Sequence, residues 1–235
     1  MNINKYKFKT FSILGDSLST LAGYNPPGYE VFYTWEVMLR AGIYGAKDTW
    51  WGMVIDELGG EILVNNSFSG SMVSKHPRNE TQSYGCSDER TGGLAKDEIE
   101  PDVIMILLGT NDWGCGMKVM ANFDSDGQEV FSVAYDAMLS KIKNNYPDAE
   151  IWCLTLPMSY CSRNPEFTPP KRFTGGYFDE YSKAIKICAD KAGCRIIDIY
   201  HPEKPHDTID GYHPTVQGMK TIADAVLAEV YKGGD

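Results

Sequence analysis

The chain has 235 residues, 43% of them hydrophobic and 23% charged, enough apolar material for one α/β domain with a sizeable core. Its formal net charge of -10, from 32 acidic against 22 basic side chains, argues against nucleic acid or an anionic membrane surface as a partner. No segment approaches the length of a membrane span, and no apolar run of a signal peptide follows the polar start, so a cytoplasmic protein is expected.

Residues 6–14 are rich in the aromatic and β-branched types that suit a buried strand, and Gly15 ends the run just before Asp16 and Ser17. A parallel strand ending in a tight turn leaves its next side chains at the carboxyl edge of a sheet, where open α/β folds place their ligand crevice. Ser17 therefore stands where a nucleophile is useful, although Asp16 or Ser17 could equally cap a following helix. An aromatic-rich connection containing Phe32, Tyr33 and Trp35 spans 24–44, and the aromatic cluster over 29–51 reads as mostly core or helix-packing material with a smaller part facing a site. Asp48 and Thr49 then cap a helix whose Trp50, Trp51, Val54, Ile55 and Leu58 share one face, and Gly59-Gly60 stops it.

Residues 62–65 form a short second strand that runs into Asn65, Asn66, Ser67 and Gly70. An irregular stretch, 72–96, precedes the clearest strand of the chain, 103–108, whose six successive apolar residues fit a central parallel position. That strand ends in Gly109-Thr110-Asn111-Asp112-Trp113. A second irregular stretch, 114–127, leads into a helix presenting Val130, Val133, Ala134, Ala137, Met138, Lys141 and Ile142 on one face. The fourth strand is expected at 151–156, ended by Pro157, and a third irregular stretch, 158–176, contains Pro165, Pro169 and Pro170. A helix over 178–192, a fifth strand at 195–199, a loop over 201–215 and a closing helix over 216–231 complete the chain. Alternating strands and helices predict a mostly parallel sheet covered on both faces, with no linker dividing residues 1–235. Cys86, Cys115, Cys153, Cys161, Cys188 and Cys194 form no Cys-x-x-Cys pair and read as free thiols, several of them buried.

The loops after the first three strands emerge at one edge of such a sheet and present Ser17, Gly70 and Asn111. The loop before the last helix adds Asp210-Gly211-Tyr212-His213. A serine hydroxyl needs a neighbouring base, and imidazole, which titrates near ~6.5, suits that proton. Asp210 is the nearest group able to fix the tautomer of His213 and stabilise its imidazolium. The backbone N–H of Ser17, that of Gly70 and the amide of Asn111 could together bind a negative tetrahedral oxygen.

Gly15-Asp16-Ser17-Leu18, Gly70, Gly109-Thr110-Asn111-Asp112 and Asp210-Gly211-Tyr212-His213 resemble, in order, the four blocks of the SGNH hydrolases, also called GDSL esterases and lipases. The resemblance spreads from residue 15 to residue 213. It implies a three-layer αβα sandwich around a five-stranded sheet of flavodoxin type, and ester hydrolysis through an acyl-enzyme. It also implies Ser17 as nucleophile, Asp210 and His213 as the acid–base pair, and Ser17, Gly70 and Asn111 as oxyanion donors. Lipases, carbohydrate acetylesterases and acyl-thioesterases all belong to that family, so the reaction transfers further than the substrate.

Trp113, directly after Asn111, is a candidate substrate-binding residue, with pocket wall and core plug as its two readings. Asp112 reads as structural, bonding loop N–H groups. His76, His201 and His206 lie in polar or proline-containing loops and are expected to be solvated. A metal-dependent phosphoesterase is the competing enzyme class, since Asp16, Asn111, Asp112, Asp210 and His213 could hold cations. The chain has only four His, however, none in a His-x-His or Asp-x-His pair, so no metal and no cofactor is expected. A non-catalytic binding module of the same fold is the third reading, disfavoured because every catalytic position carries the residue the chemistry wants. Polar irregular stretches with interspersed Tyr and Trp, and no long apolar loop for a fatty chain, point to a short acyl group, acetyl, on a carbohydrate or polyol. Oligomeric state is not legible.

Overall fold

Strands and helices alternate from the first buried segment onward. A computed structural model describes residues 3–76, 83–122, 126–167 and 177–232; Pro169 and Pro170, and parts of all three irregular stretches, lie outside the described residues. The strands are β1 (Thr10–Gly15), β2 (Glu61–Asn65), β3 (Val103–Leu107), β4 (Glu150–Leu154), β5 (Ser159–Tyr160), β6 (Arg195–Ile197) and β7 (His206–Asp207). The helices are α1 (Trp35–Ala41), α2 (Trp50–Leu58), α3 (Asp88–Gly92), α4 (Thr110–Cys115), α5 (Phe131–Asn145), α6 (Phe178–Ala192) and α7 (Val216–Lys232).

Five strands form one sheet in the order β2-β1-β3-β4-β6, every neighbouring pair parallel. This is the expected flavodoxin-type order. The chain reverses direction across the sheet between β1 and β3, so the crevice of such a fold opens at the carboxyl ends of those two strands. A short parallel pair, β5 with β7, lies apart from the main sheet.

The buried run of β3 divides by alternation, as side chains on a strand must. Ile104 and Ile106 join Leu14 in the core shared with α5 and α6, which includes Met138, Ile142, Tyr181 and Ile185. Val103, Met105 and Leu107 join Phe11 and Ile13 in the core shared with α2 and α7, which includes Trp51, Val54, Met219 and Val226. Two apolar layers therefore sandwich the sheet, and its central strands are buried on both faces.

Several boundaries differ from the sequence reading for local reasons. The first strand starts at Thr10 rather than at residue 6, because Phe8 adopts φ 66° and is exposed. Tyr6 instead ends a 3₁₀ turn, Ile3–Tyr6, and packs edge-on against Trp152. The connection 24–44 contains α1, capped by the Thr34 side chain and closed by Gly42 in the left-handed region. Trp35 and Leu39 on that helix are exposed, which masks its apolar period. The short helices α3 and α4, and the strands β5 and β7, fall in stretches expected to be irregular; two to six residues carry too little pattern to reveal a period. By contrast α6 spans the expected 178–192, and α2 carries the expected Thr49 cap.

Candidate active site

Ser17 lies two residues beyond β1 in a turn fastened on several sides. Asp16 Oδ1 accepts from Leu18 N at 3.0 Å, and Ser19 N donates to Asp16 O at 3.0 Å. Ser19 O accepts from Trp51 Nε1 at 3.0 Å and from Asn65 Nδ2 at 2.8 Å, while Trp50 Nε1 reaches Ser19 Oγ at 3.2 Å. A Cβ on Gly15 would stand 2.6 Å from Ser19 Oγ and 2.9 Å from Ser67 Oγ, so only glycine lets the chain fold this tightly.

The loop ahead of α7 brings Asp210 and His213 to this turn. His213 Nε2 is 2.9 Å from Ser17 Oγ, and His213 Nδ1 is 2.7 Å from Asp210 Oδ2. Asp210 Oδ1 accepts the N–H groups of Tyr212 at 3.0 Å and His213 at 2.9 Å, so the carboxylate also shapes the loop that carries its partner. Partial burial would raise the Asp210 pKa, but the His213 ring, its charge and the two N–H donors together hold it below the usual carboxylate value. The carboxylate thus remains ionised and bound to one imidazole nitrogen while the other nitrogen faces the hydroxyl.

Gly70 and Asn111 come to the same place from β2 and β3. Gly70 takes φ 79°, a left-handed conformation that favours glycine, and precedes Ser71, whose carbonyl accepts from Asn111 Nδ2 at 3.0 Å. Asn111 Nδ2 also makes a longer contact, 3.3 Å, with Asp16 Oδ2. Asp16 is fully buried, and burial pushes its carboxyl up to about 7; the Leu18 N–H lowers it, nearby Asp112 raises it and Arg90 lowers it. Asp112 is also fully buried and bonds the N–H groups of Val73 at 2.8 Å and Ser74 at 2.9 Å, tying α4 to the Gly70 loop. Burial raises its carboxyl to about 6 against the pull of those donors.

Trp113 combines both of its readings. It is 1% exposed and packs edge-on against Phe178, with ring centroids 5.1 Å apart, yet it also lines the hollow beside Ser17. That hollow, about 220 Å³, is walled by Leu18, Asn111, Trp113, Tyr212 and His213. Sharing Leu18, Trp113 and Tyr212 with it is a recess of about 10 Å³ that reaches Phe178, Met158 and His206.

His206 corrects one expectation. It is 2% exposed rather than solvated, because β7 pairs with β5 and places it under the Tyr212 loop. Burial pulls its pKa down to about 4, so the ring is neutral. His201 and His76 are half-buried.

Two contributors were not singled out in the sequence. Arg90, completely buried, donates from Nη1 to Ser71 Oγ at 2.8 Å and from Nη2 to Gly15 O at 2.8 Å and Asn66 O at 2.9 Å. It thereby pins the ends of β1 and β2 and the Gly70 loop to one another. Burial lowers its pKa to about 10, so it keeps its charge. Phe32 lies flat against the His213 ring, with centroids 3.4 Å apart and planes 10° from parallel. No sequence pattern marks either residue, because each acts through distant parts of the chain. Among the described residues no three His, Cys, Asp or Glu side chains gather as a metal site, and no helix is long and apolar enough to cross a membrane.

Comparison with known proteins places this geometry in a family. Residues 9–158 match the family model of the GDSL-like lipases/acylhydrolases. A candidate GDSL-like lipase from Bacteroides ovatus is 25% identical and superposes with a TM-score of 0.74 over 96% of this chain and 99% of that one. A carbohydrate acetylesterase from Sinorhizobium meliloti, 18% identical, shares the fold with a TM-score of 0.62 over 95% of this chain and 99% of its own. The cellulase/esterase CelE of Acetivibrio thermocellus is 24% identical over 132 residues, which are 55% of this chain. The chain matches only 14% of the length of that larger protein. With the family model covering well over half of the sequence, the chain belongs to the GDSL-like lipase/acylhydrolase family of ester hydrolases.

Proposed function

We propose that the chain is a single-domain serine esterase that removes short acyl groups, acetyl first among them, from a carbohydrate or other polyol. The observation that carries the reading is the continuous line of contacts from Ser17 Oγ to His213 Nε2 at 2.9 Å and from His213 Nδ1 to Asp210 Oδ2 at 2.7 Å. In the reaction, His213 Nε2 takes the Ser17 proton as Oγ forms a bond to the ester carbonyl carbon. The carbonyl oxygen gains the negative charge and is met by the N–H groups of Ser17 and Gly70 and the Asn111 amide. The C–O bond to the alcohol then breaks, and the leaving oxygen takes the proton from Nε2. Water repeats the sequence on the acyl-enzyme and returns the proton to Ser17. Asp210, held ionised, stabilises the imidazolium in both halves.

Acyl length follows from space. The recess that adjoins the hollow beside Ser17 and shares Leu18, Trp113 and Tyr212 with it holds about 10 Å³, room for roughly one water-sized group, which suits the methyl of an acetyl and not a fatty chain. Tyr212 and Asn111, which line the hollow, offer the aromatic and polar surface that a sugar needs. The similarity to a cellulase/esterase agrees with a carbohydrate alcohol. Six free thiols support the cytoplasm as the compartment.

A series of chromogenic esters from acetate to decanoate tests the substrate reading. We expect kcat/KM to be highest for acetate and to fall at least ~10-fold by octanoate, since each unburied or clashing methylene costs ~1 kcal/mol or more. Preference for octanoate or decanoate would show that the acyl group lies elsewhere and that the enzyme acts as a lipase or acyl-thioesterase.

A further inference from the structure

We infer that Phe32 is a positioning residue for the reaction: its ring fixes the plane of the His213 imidazole and favours the imidazolium that forms when Ser17 gives up its proton. This rests on the serine-esterase reading above. The contact is face to face, centroids 3.4 Å apart and planes 10° from parallel, so the Phe32 ring covers one side of the imidazole. The two nitrogens lie in the ring edge and stay free for Ser17 and Asp210. Stacking of this kind blocks rotation of the imidazole without competing for either hydrogen bond. The negative face of a benzene ring also attracts a cation more than a neutral imidazole.

The segment around Phe32 is tied both to the turn that carries Ser17 and to the loop that carries His213, which makes the placement specific. Phe32 N donates to Thr20 Oγ1 at 3.1 Å, and Thr20 Oγ1 donates to Ser17 O at 3.1 Å, so the nucleophile's own carbonyl is one side chain away. On the other side, the buried Tyr33 hydroxyl donates to Pro214 O at 2.7 Å, directly after His213. Ala22 N donates to Tyr33 O at 3.0 Å and closes the clamp. Phe32 meets Tyr33 edge-on, with centroids 5.1 Å apart, which sets its ring orientation from behind. A residue needed only to fill space would not require attachment to the turn that carries Ser17 and to the loop that carries His213 at once.

The test compares Phe32→Leu, Phe32→Met and Phe32→Tyr with the parent enzyme, using kcat and KM on a chromogenic acetate and the rate of Ser17 labelling by an organophosphonate. Losing the flat face while keeping an apolar side chain should lower kcat ~10–100-fold, the scale of a small misplacement of a catalytic group, with KM changed by less than about threefold. Labelling of Ser17 should slow by a similar factor, and Phe32→Tyr should recover most of both. Leu and Met serve as independent apolar replacements, so poor folding of one leaves the comparison intact. Leu or Met variants with kcat near the parent's would overturn the proposal. So would a rise in KM at unchanged kcat, which would make Phe32 a substrate contact, or a Tyr variant as impaired as Leu. If the parent enzyme itself is not labelled at Ser17, the serine-esterase reading fails; if it is labelled and the variants react equally fast, only the role of Phe32 does.

Discussion

At the scale of single residues, the chemistry depends on groups whose ionisation is set by their surroundings. Asp210 is only partly buried and is held below the usual carboxylate pKa by the His213 ring and two backbone N–H groups. Its partner makes one bond to it and one to Ser17, so the two side chains act as a unit. His213→Ala removes the proposed base and should leave only what oxyanion binding and substrate contacts provide. Asp210→Asn keeps the loop but no longer favours the productive tautomer, and its loss should be equal or smaller. Changing both should cost little more than His213→Ala alone, because parts of one unit are not additive. Steady-state kcat/KM of the two single variants and the double variant checks this; multiplicative losses would mean that the two residues act independently.

At the scale of elements, Arg90 shows how much of the site is built from outside its own motifs. It comes from the short helix α3, and its guanidinium satisfies Gly15 O at the end of β1, Asn66 O after β2 and Ser71 Oγ beside Gly70. Gly15 O keeps the Phe68 N–H at 3.1 Å, but Asn66 O and Ser71 Oγ are buried and lose that donor on removal, at ~1–3 kcal/mol apiece, partly offset by no longer burying a charge. Arg90→Met should therefore cost on the order of 3 kcal/mol, a fall in Tm of ~6–12 °C for a chain of this size. Calorimetry measures it, and an unchanged Tm would show that water replaces the guanidinium without loss. The sequence marked the residues at the strand exits well, because a glycine after an apolar run is a local signal: Gly15, Gly70 and Gly109 all stand where the chain turns. It did not mark Arg90, Phe32 or the burial of His206, because a charged, an aromatic and a polar residue in an irregular stretch look the same whether they face solvent or the interior. Only the pairing of distant strands decides that.

At the scale of the whole molecule, the parallel sheet and its two covered faces were legible from the alternation of strands and helices, from six successive apolar residues over 103–108 and from the one-faced helices α2 and α5, while the strand order came with the family resemblance. The short helices were not, since α1, α3 and α4 are held by caps and by packing rather than by a long period. The burial that makes this fold also gives stability a pH dependence. Asp16 and Asp112, raised by burial to about 7 and about 6, keep protons in the folded state that the unfolded chain releases near ~3.9. Their contribution is fully present below ~4 and is lost as pH rises toward 7, whereas the Asp210 contribution is present above ~4 and is lost only as pH falls through its lowered value. Asp16→Asn should shrink the drop in urea midpoint between pH 4.5 and 7.5, and an unchanged drop would remove Asp16 from the account. The esterase reading stands on Ser17 as its nucleophile. Its most direct test is mass spectrometry of the enzyme after reaction with an organophosphonate, alongside residual activity on an acetate ester. One adduct on Ser17, growing in proportion to lost activity and missing from Ser17→Ala, is the predicted result; an adduct on another residue, or full activity in a fully labelled or Ser17→Ala protein, would contradict it.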